Sequence, residues 1–329
     1  MTVFFLVRHA EAEGNAYRRI HGQYDSLITP NGLRQIEALS RRFADIRIDA
    51  CYASDLYRTR KTAEAVYVPK QLPLVPDARF REVNLGRWED VPFGYLERFE
   101  ADDMYKFNHE ERIWAVEGSE RWQTYTDRFV RALKELAQNH GGQTVAIFSH
   151  GCVLRGVQKR LSGMDKVPYC DNTAVSKLVY EDGAFRFEFL NDNSHLPEEI
   201  STFARQRWWR QGGGKDYNMW FKGDGTQYAA MLAGTQAGAL RLRNDDGGTC
   251  WIEDLQMFDE YRGKALGIQL IGQAVSRARS LGKTALAARV DAQNTQALRF
   301  FETHGFVKTQ QEGNASVLEK SIEVPKLLK

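Results

Sequence analysis

An α/β domain with an open parallel sheet is predicted for residues 1–197, followed by an α+β domain over residues 216–329. Three observations carry this reading. Up to about residue 197, apolar strand-like runs alternate with helix-like runs. Three of those strands end abruptly in polar, chemically capable residues, as strands of an open parallel sheet do at its carboxyl edge. Beyond Gln211-Gly212-Gly213-Gly214-Lys215 the order changes to successive strands followed by helices.

The continuous apolar run from Val3 to Val7 is a buried strand that delivers Arg8 and His9 to a sheet edge. Pro30 to Phe43 is a helix, with Pro30 in its first turn and Leu33, Ile36 and Leu39 at helical spacing. Ala50 to Ser54 is a second strand, and Asp55 is placed to cap a helix through Arg58, Thr62 and Val66. The amphipathic stretch from Trp122 to Gln138 stops at Asn139-His140-Gly141-Gly142, and Thr144 to Ser149 is a third buried strand, ending in His150 and Gly151. Thr173 to Tyr180 and Ala184 to Leu190 flank an Asp-Gly turn and read as a hairpin. Pro197-Glu198-Glu199 can start a helix carrying Phe203, Trp208 and Trp209, so 198–215 is a linker or a first helix of the second domain. In that domain, strands are expected at Gln227 to Ala233, Gly238 to Arg243 and Thr249 to Phe258. A helix at Leu266 to Leu281, a strand at Thr284 to Val290, a helix at Thr295 to His304 and a last strand from Phe306 complete it.

At 329 residues, with 43% hydrophobic and 27% charged residues, the chain can build two separate cores. Its apolar runs are too short for a membrane span. Met1-Thr2-Val3-Phe4 opens straight into a strand without the succession of an export signal, so a cytoplasmic location is expected. A net charge of +2, with basic residues clustered inside short motifs, does not describe a nucleic-acid binder. Cys51, Cys152, Cys170 and Cys250 lack paired spacing and are expected to be reduced thiols. The seven histidines lack ligand spacing, so no metal is expected. The oligomeric state is left open.

A neutral His9 is a competent nucleophile toward phosphorus, and a phosphohistidine divides one hard hydrolysis into two easier transfers. The three equatorial phosphoryl oxygens need donors, which Arg8, Arg58 and a cationic His150 can supply, with Asn15 as a neutral donor. Glu82 is the acid that protonates the leaving oxygen and then helps deprotonate water. These islands, in this order, resemble the histidine phosphatase superfamily, also called phosphoglycerate mutase-like. The resemblance runs through Arg8-His9-Ala10-Glu11, Asn15, Gly22 to Gly32, Asp55 to Ala63, Arg81 to Glu89, Gly118-Ser119-Glu120, Ser149-His150-Gly151 and Asn191 to Leu196. It implies a three-layer α/β/α fold over residues 1–197 and His9 as the phosphorylated nucleophile. It further implies Glu82 as proton donor and Arg8, Asn15, Gly22, Arg58, His150 and Gly151 around the phosphate. His21 stands where relatives often carry Thr, Ser or Gln, and Leu27 sits one place early. No basic, proline-rich insert of the true glycerate mutases is present, so hydrolysis is favoured, with a phosphomutase as the alternative. Val91 to Val116, rich in aromatic and acidic residues, is expected to cover the substrate.

Tyr261-Arg262-Gly263-Lys264-Ala265-Leu266-Gly267 follows a strand and opens a helix, where backbone amides can hold a pyrophosphate. With Asn294 to Phe301 and Gly305-Phe306 downstream, this resembles the GNAT N-acetyltransferases. The resemblance implies acetyl-CoA as co-substrate, its pyrophosphate on Arg262, Gly263, Lys264, Ala265, Leu266 and Gly267. Its pantetheine arm would lie along Leu255 and Met257 and near Asn294. Glu253 matches a strand carboxylate that is a general base in some relatives, and Asp254, expected on the opposite strand face, competes with it. Two departures stand out: Ala265 replaces the first Gly of the loop, and Phe301 replaces a Tyr that protonates the leaving thiolate. The reading is a bifunctional enzyme that dephosphorylates a small metabolite and acetylates a small amine. The alternative is a phosphatase whose second domain only senses or binds acetyl-CoA.

Overall fold

The computed structural model of the protein describes residues 1–206, 217–245 and 247–326, so Trp208, Trp209 and the glycine-rich break lie outside the described residues. Strand β1 (Thr2–Arg8) pairs in parallel with β4 (Thr144–Ser149), setting Arg8 opposite Ser149. β2 (Ala50–Ala53) pairs in parallel with β4, and β3 (Leu74–Pro76) with β2. On the other side of β1 the hairpin β5 (Val175–Glu181) and β6 (Ala184–Asp192) runs antiparallel, completing the order β3-β2-β4-β1-β5-β6. Both turn residues of that hairpin, Asp182 (φ 50°) and Gly183 (φ 83°), take the left-handed conformation that a tight turn between twisted strands demands.

The continuous apolar run of β1 is explained by burial on both faces. Phe5 and Val7 point to a core with Leu39 and Phe43 of α2 (Pro30–Phe43) and Ala63 and Val66 of α3 (Tyr57–Tyr67). Phe4 and Leu6 point to the opposite core, with Phe129 and Leu133 of α6 (Trp122–Asn139) and Val153 and Val157 of α7 (Gly151–Ser162). Helices, sheet and helices thus form three layers. The expected cap of α3 is corrected: Asp55 pairs with Arg81, and Asp25, distant in sequence, accepts the Tyr57 N–H at 2.7 Å. Between β3 and α6 the chain forms α4 (Phe93–Phe99) and α5 (Ala101–His109), and after β6 the short α8 (Thr202–Arg205).

Among the described residues the second sheet has seven strands, in the order β12-β13-β11-β10-β9-β8-β7. They are β7 (Trp220–Gly223), β8 (Gln227–Leu232), β9 (Thr235–Asn244), β10 (Thr249–Met257), β11 (Ala285–Asp291), β12 (Val307–Glu312) and β13 (Ala315–Ser321). The single strand expected from Phe306 is a hairpin turning at Gly313 (φ 57°), and β7 is an edge strand the sequence pattern did not suggest. Among the described residues of this sheet, only β10 with β11 pairs in parallel, bridged by α9 (Ile268–Ser280). α9 and α10 (Thr295–Thr303) contribute to one apolar core on the same face of the sheet, through Leu270, Ile271, Ala274 and Phe301 against Leu240, Leu242, Leu286 and Leu318.

The two sheets meet through a short helix of the first half, α1 (Glu13–Tyr17), whose Ala16 and Tyr17 join the apolar core of the second. Gly272 of α9 permits this approach, since a Cβ there would stand 2.5 Å from that of Tyr17. Around the contact, Arg279 pairs with Glu13 at 2.7 Å, and Arg19, itself paired with Asp90, donates to Gln273 and Ser276. A second close approach sets Gly94 of α4 against the Asn218 carbonyl, 2.5 Å from where a Cβ would sit.

Candidate active sites

The carboxyl edge of the first sheet gathers three histidines and two arginines. His9 lies at the end of β1, its ring centre 5.2 Å from that of His150 at the end of β4 and 5.9 Å from that of His21. The carbonyl of Ala10 is 2.7 Å from His9 Nδ1 and can only accept, so Nδ1 carries the proton and Nε2 the lone pair. Arg58, from the first turn of α3, is fully buried and donates to the carbonyls of Gly22 (2.7 Å) and Tyr24 (2.9 Å), leaving Nε without a protein acceptor. Arg8 donates to the Cys170 carbonyl, and its Nε is likewise without a protein acceptor. Its guanidinium passes beside Gly151, where a Cβ would lie 3.2 Å from Nε. Both ring nitrogens of buried His150 have no partner among the described residues. Buried polar atoms are rarely left so. Arg8, Arg58 and His150 cluster with His9, whose ring centre lies 5.2 Å from that of His150, an arrangement that suits an anion with several oxygens.

Glu82 is held by the N-terminus of α7: Oε1 accepts from Val153 (2.7 Å) and Val83 (3.0 Å), and Oε2 from Cys152 (3.0 Å). Asn15 accepts the Ala12 N–H through Oδ1. Arg8, His9, Asn15, His21, Gly22, Glu82 and Gly151 border one cavity of about 640 Å³, also lined by Phe93, Glu97, Met104 and Phe107 of α4 and α5. Val91 to Val116 therefore does overhang the site. Asn172 escaped the sequence reading: it donates to the His9 carbonyl at 2.9 Å. His21, marked there as a departure from the family pattern, accepts the Gly14 N–H at 2.8 Å, which fixes its ring. Asn172 lies in a loop without a motif, so nothing in the pattern could have marked it.

In the second sheet, β10 and β11 are paired only from Thr249/Ala285 to Ile252/Ala288. Beyond Ile252 the strands separate, and Leu255 to Met257 keep β9 on one edge and no described strand on the other. The loop ahead of α9 holds Gly263 (φ 69°) and Ala265 (φ 56°) in the left-handed region. An alanine there costs about 1–2 kcal/mol relative to an ordinary backbone conformation, which is why a glycine suits the position. Arg262 folds back onto the Met257 carbonyl (3.0 Å) and Asp259 (2.9 Å), Gly267 packs under Phe300, and Asn294 caps α10 by accepting the Ala297 N–H. Phe301 is turned into the core against Phe306.

A bulge between Ile252 and Asp254 overturns the expected alternation. Asp254 lies opposite Arg241 and Leu255 opposite Leu240, so Glu253 and Asp254 share one face of the sheet. Glu253 is bound there by Arg241 (3.3 Å) and Arg243 (3.0 Å), on an exposed face where Arg243 and Arg289 flank Trp251. A general base needs a lone pair on the amine, and those of Glu253 are engaged by two guanidiniums.

The family model of the histidine phosphatase superfamily (branch 1) matches residues 4–193. The chain belongs to that superfamily. The model of the acetyltransferase (GNAT) family matches residues 185–306, so a GNAT domain follows the histidine phosphatase domain. Similar proteins include phosphoserine phosphatase 1 of Hydrogenobacter thermophilus, 28% identical over 60% of this chain and 96% of that protein. A metal-independent phosphoserine phosphatase of Arabidopsis thaliana is 30% identical over 60% and 84%, respectively. A probable phosphoglycerate mutase of Escherichia coli is 29% identical over 60% and 95%. Among solved structures, Bacillus stearothermophilus YhfR superposes with a TM-score of 0.57 at 28% identity, covering 59% of this chain and 99% of its own.

The histidine phosphatase pocket has a protonation pattern of its own. Burial first, then Arg58 and Arg8, pushes His9 and His21 well below the ordinary imidazole value. Burial, then Arg58 and His9, does the same to His150. His150, expected from sequence as a cation, is thus held toward its neutral form, first by burial and then by Arg58 and His9. The unfolded chain takes up protons as pH falls through about 6.5, whereas the folded chain does not. The stability contributed by these neutral imidazoles is therefore complete above about pH 6.5 and lost on acidification toward their depressed folded values. The urea midpoint is expected to fall between about pH 7 and pH 5, with inorganic phosphate offsetting part of the fall. An unchanged midpoint over that range would contradict the burial of His9 and His150.

Proposed function

We propose that the protein is bifunctional, hydrolysing a small phosphomonoester through a phosphohistidine on His9 and transferring acetyl from acetyl-CoA to a small amine. Residues 1–197 carry the first activity and 216–329 the second. What supports the first reading most is His9, with its lone pair on Nε2, grouped with the unpartnered polar atoms of Arg8, Arg58 and His150. In the first step Nε2 attacks phosphorus, the ester P–O bond breaks, and the Glu82 carboxyl gives its proton to the leaving oxygen. In the second, Glu82 takes a proton from water, whose oxygen attacks phosphorus as the P–N bond breaks and orthophosphate leaves. Asn15 and the backbone at Gly22 and Gly151 shape the oxyanion pocket. Hydrolysis is preferred to a mutase reaction, and the similar phosphoserine phosphatases accord with that preference.

For the second activity, the separated strands and the left-handed loop at the start of α9 fit a pantetheine arm and a pyrophosphate. Leu255 and Met257 would offer main-chain groups, Arg262 to Gly267 the phosphate loop, and Asn294 the far side of the cleft. Bound acetyl-CoA supplies the thioester. This chain orients it, but Phe301, buried in the core, cannot protonate the thiolate, so water takes that part and transfer is slow. The position of Glu253 between two arginines leaves the base to water or to the amine's own free form. A library of phosphorylated metabolites, incubated with the wild type with and without acetyl-CoA and read by mass spectrometry, tests both halves. A compound that loses phosphate and then gains 42 Da, about one acetyl group, is expected. Binding of acetyl-CoA by calorimetry without acetylation of any amine would favour the sensing role instead.

A further inference from the structure

The segment that carries Glu82 has no ladder to hold it. After the short turn of helix Ala78–Phe80, residues Arg81 to Asn84 belong to no helix or strand, so their backbone carbonyls must find donors elsewhere. One side chain of α6 supplies most of them. Arg128 Nη1 donates to the carbonyls of Arg79 and Arg81, each at 2.8 Å, and Nη2 donates to that of Glu82 at 2.8 Å. Its Nε and Nη2 also meet the two oxygens of the Glu120 carboxylate, both at 2.9 Å. All five N–H groups of the guanidinium are thereby engaged. Glu120 closes the clamp on the other flank: its Oε2 accepts the Asn84 N–H at 2.8 Å, and its own N–H donates to the Asn84 carbonyl at 2.9 Å. The Glu82 carboxyl group is oriented by the N–H groups of Val83, Cys152 and Val153, of which only Val83 moves with the Glu82 main chain. A slip of that main chain would therefore pull the carboxyl group away from α7.

We infer that Arg128, with Glu120 as its counter-ion, is the positioning residue for the acid of the phosphatase, setting where the Glu82 carboxyl group meets the leaving oxygen. This rests on the phosphatase reading above and adds to it a residue that acts from behind the site, since Arg128 does not line the cavity. A lysine at 128 keeps the charge but has three donors in no fixed plane, so it cannot hold three carbonyls and a carboxylate at once. Proton transfer in the transition state is sensitive to such a displacement of the acid.

The test uses the full chain with p-nitrophenyl phosphate and phenyl phosphate, esters of similar shape whose leaving phenols differ in acidity. The weaker acid, phenol, needs the proton of Glu82 as its P–O bond breaks, whereas p-nitrophenolate leaves largely without it. Arg128→Lys is expected to lower kcat/KM for phenyl phosphate at least about fivefold more than for p-nitrophenyl phosphate. Glu120→Gln, which leaves Arg128 in place and withdraws its counter-ion, is expected to shift the ratio in the same direction by less, and it decides the matter alone if Arg128→Lys does not fold. Glu82→Gln sets the scale, with the largest shift. Losses equal for the two esters within about twofold in both variants mean that Arg128 serves stability only, and overturn the inference. Equal losses in Glu82→Gln remove the acid role of Glu82 and the inference together. If the wild type releases phosphate from neither ester, or His9→Ala releases it equally well, the phosphatase reading itself fails.

Discussion

Phosphate release is expected to fall by about four orders of magnitude or more in the His9→Ala variant. The expectation follows from what remains when the imidazole is gone. Arg8, Arg58 and His150 would still bind the phosphoryl group, and Glu82 would still stand at the start of α7. The Ala10 carbonyl holds His9 with its lone pair on Nε2. His150 is buried beside it, and His21, half-buried, has its Nε2 engaged with Gly14 and Ser26. Only direct attack by water would survive, lacking the covalent intermediate. Release of inorganic phosphate under saturating substrate measures the loss. Trapping an acid-labile, base-stable phosphoenzyme in the wild type, absent in the variant, would place the phosphate on His9. Undiminished turnover would remove His9 from the role of nucleophile.

Replacing Arg279 by methionine is expected to lower folding stability by about 3–5 kcal/mol. Glu13 and Arg279 meet at 2.7 Å across the contact between the two halves, their side chains 3% and 14% exposed. Glu13 also accepts the Leu27 N–H, so its carboxylate cannot swing out to water without disturbing the segment that carries Ile28 and Thr29 to α2. Removing the guanidinium leaves a buried charge without its counter-ion, the costly way to break such a pair. Adding Glu13→Gln to the variant should recover most of the loss, because the stranded charge is then gone. Urea unfolding of the single and double variants measures this. Equal destabilisation in both would mean that packing of Arg279, not its charge, matters. Because α1 begins four residues after His9, the single variant should lose phosphatase activity along with stability.

Most of the first site could be read from the chain because each of its residues sits next to a strong local signal. Arg8 and His9 close an apolar run, His150 closes another, and Arg58 opens a helix beside a strand end. Such signals depend on neighbours in sequence, and strand ends of a parallel sheet share one edge whatever the loops do. The GNAT elements were legible for the same reason, apart from the edge strand β7 and the last hairpin. These are short, and their turn at Gly313 carries a weak pattern.

By itself, the sequence determined two domains of α/β and α+β type, the loaded strand ends and the loop before α9, since burial periodicity and turn chemistry are local. Tertiary structure alone decided that Asn172 supports His9 and that a bulge sets Glu253 and Asp254 on one face. It also decided that α1 is packed on α9, and that Asn218 reaches 200 residues back to Arg18. Those outcomes depend on close approach at Gly272 and Gly94 and on hydrogen bonds between segments far apart in the chain, which no local pattern encodes.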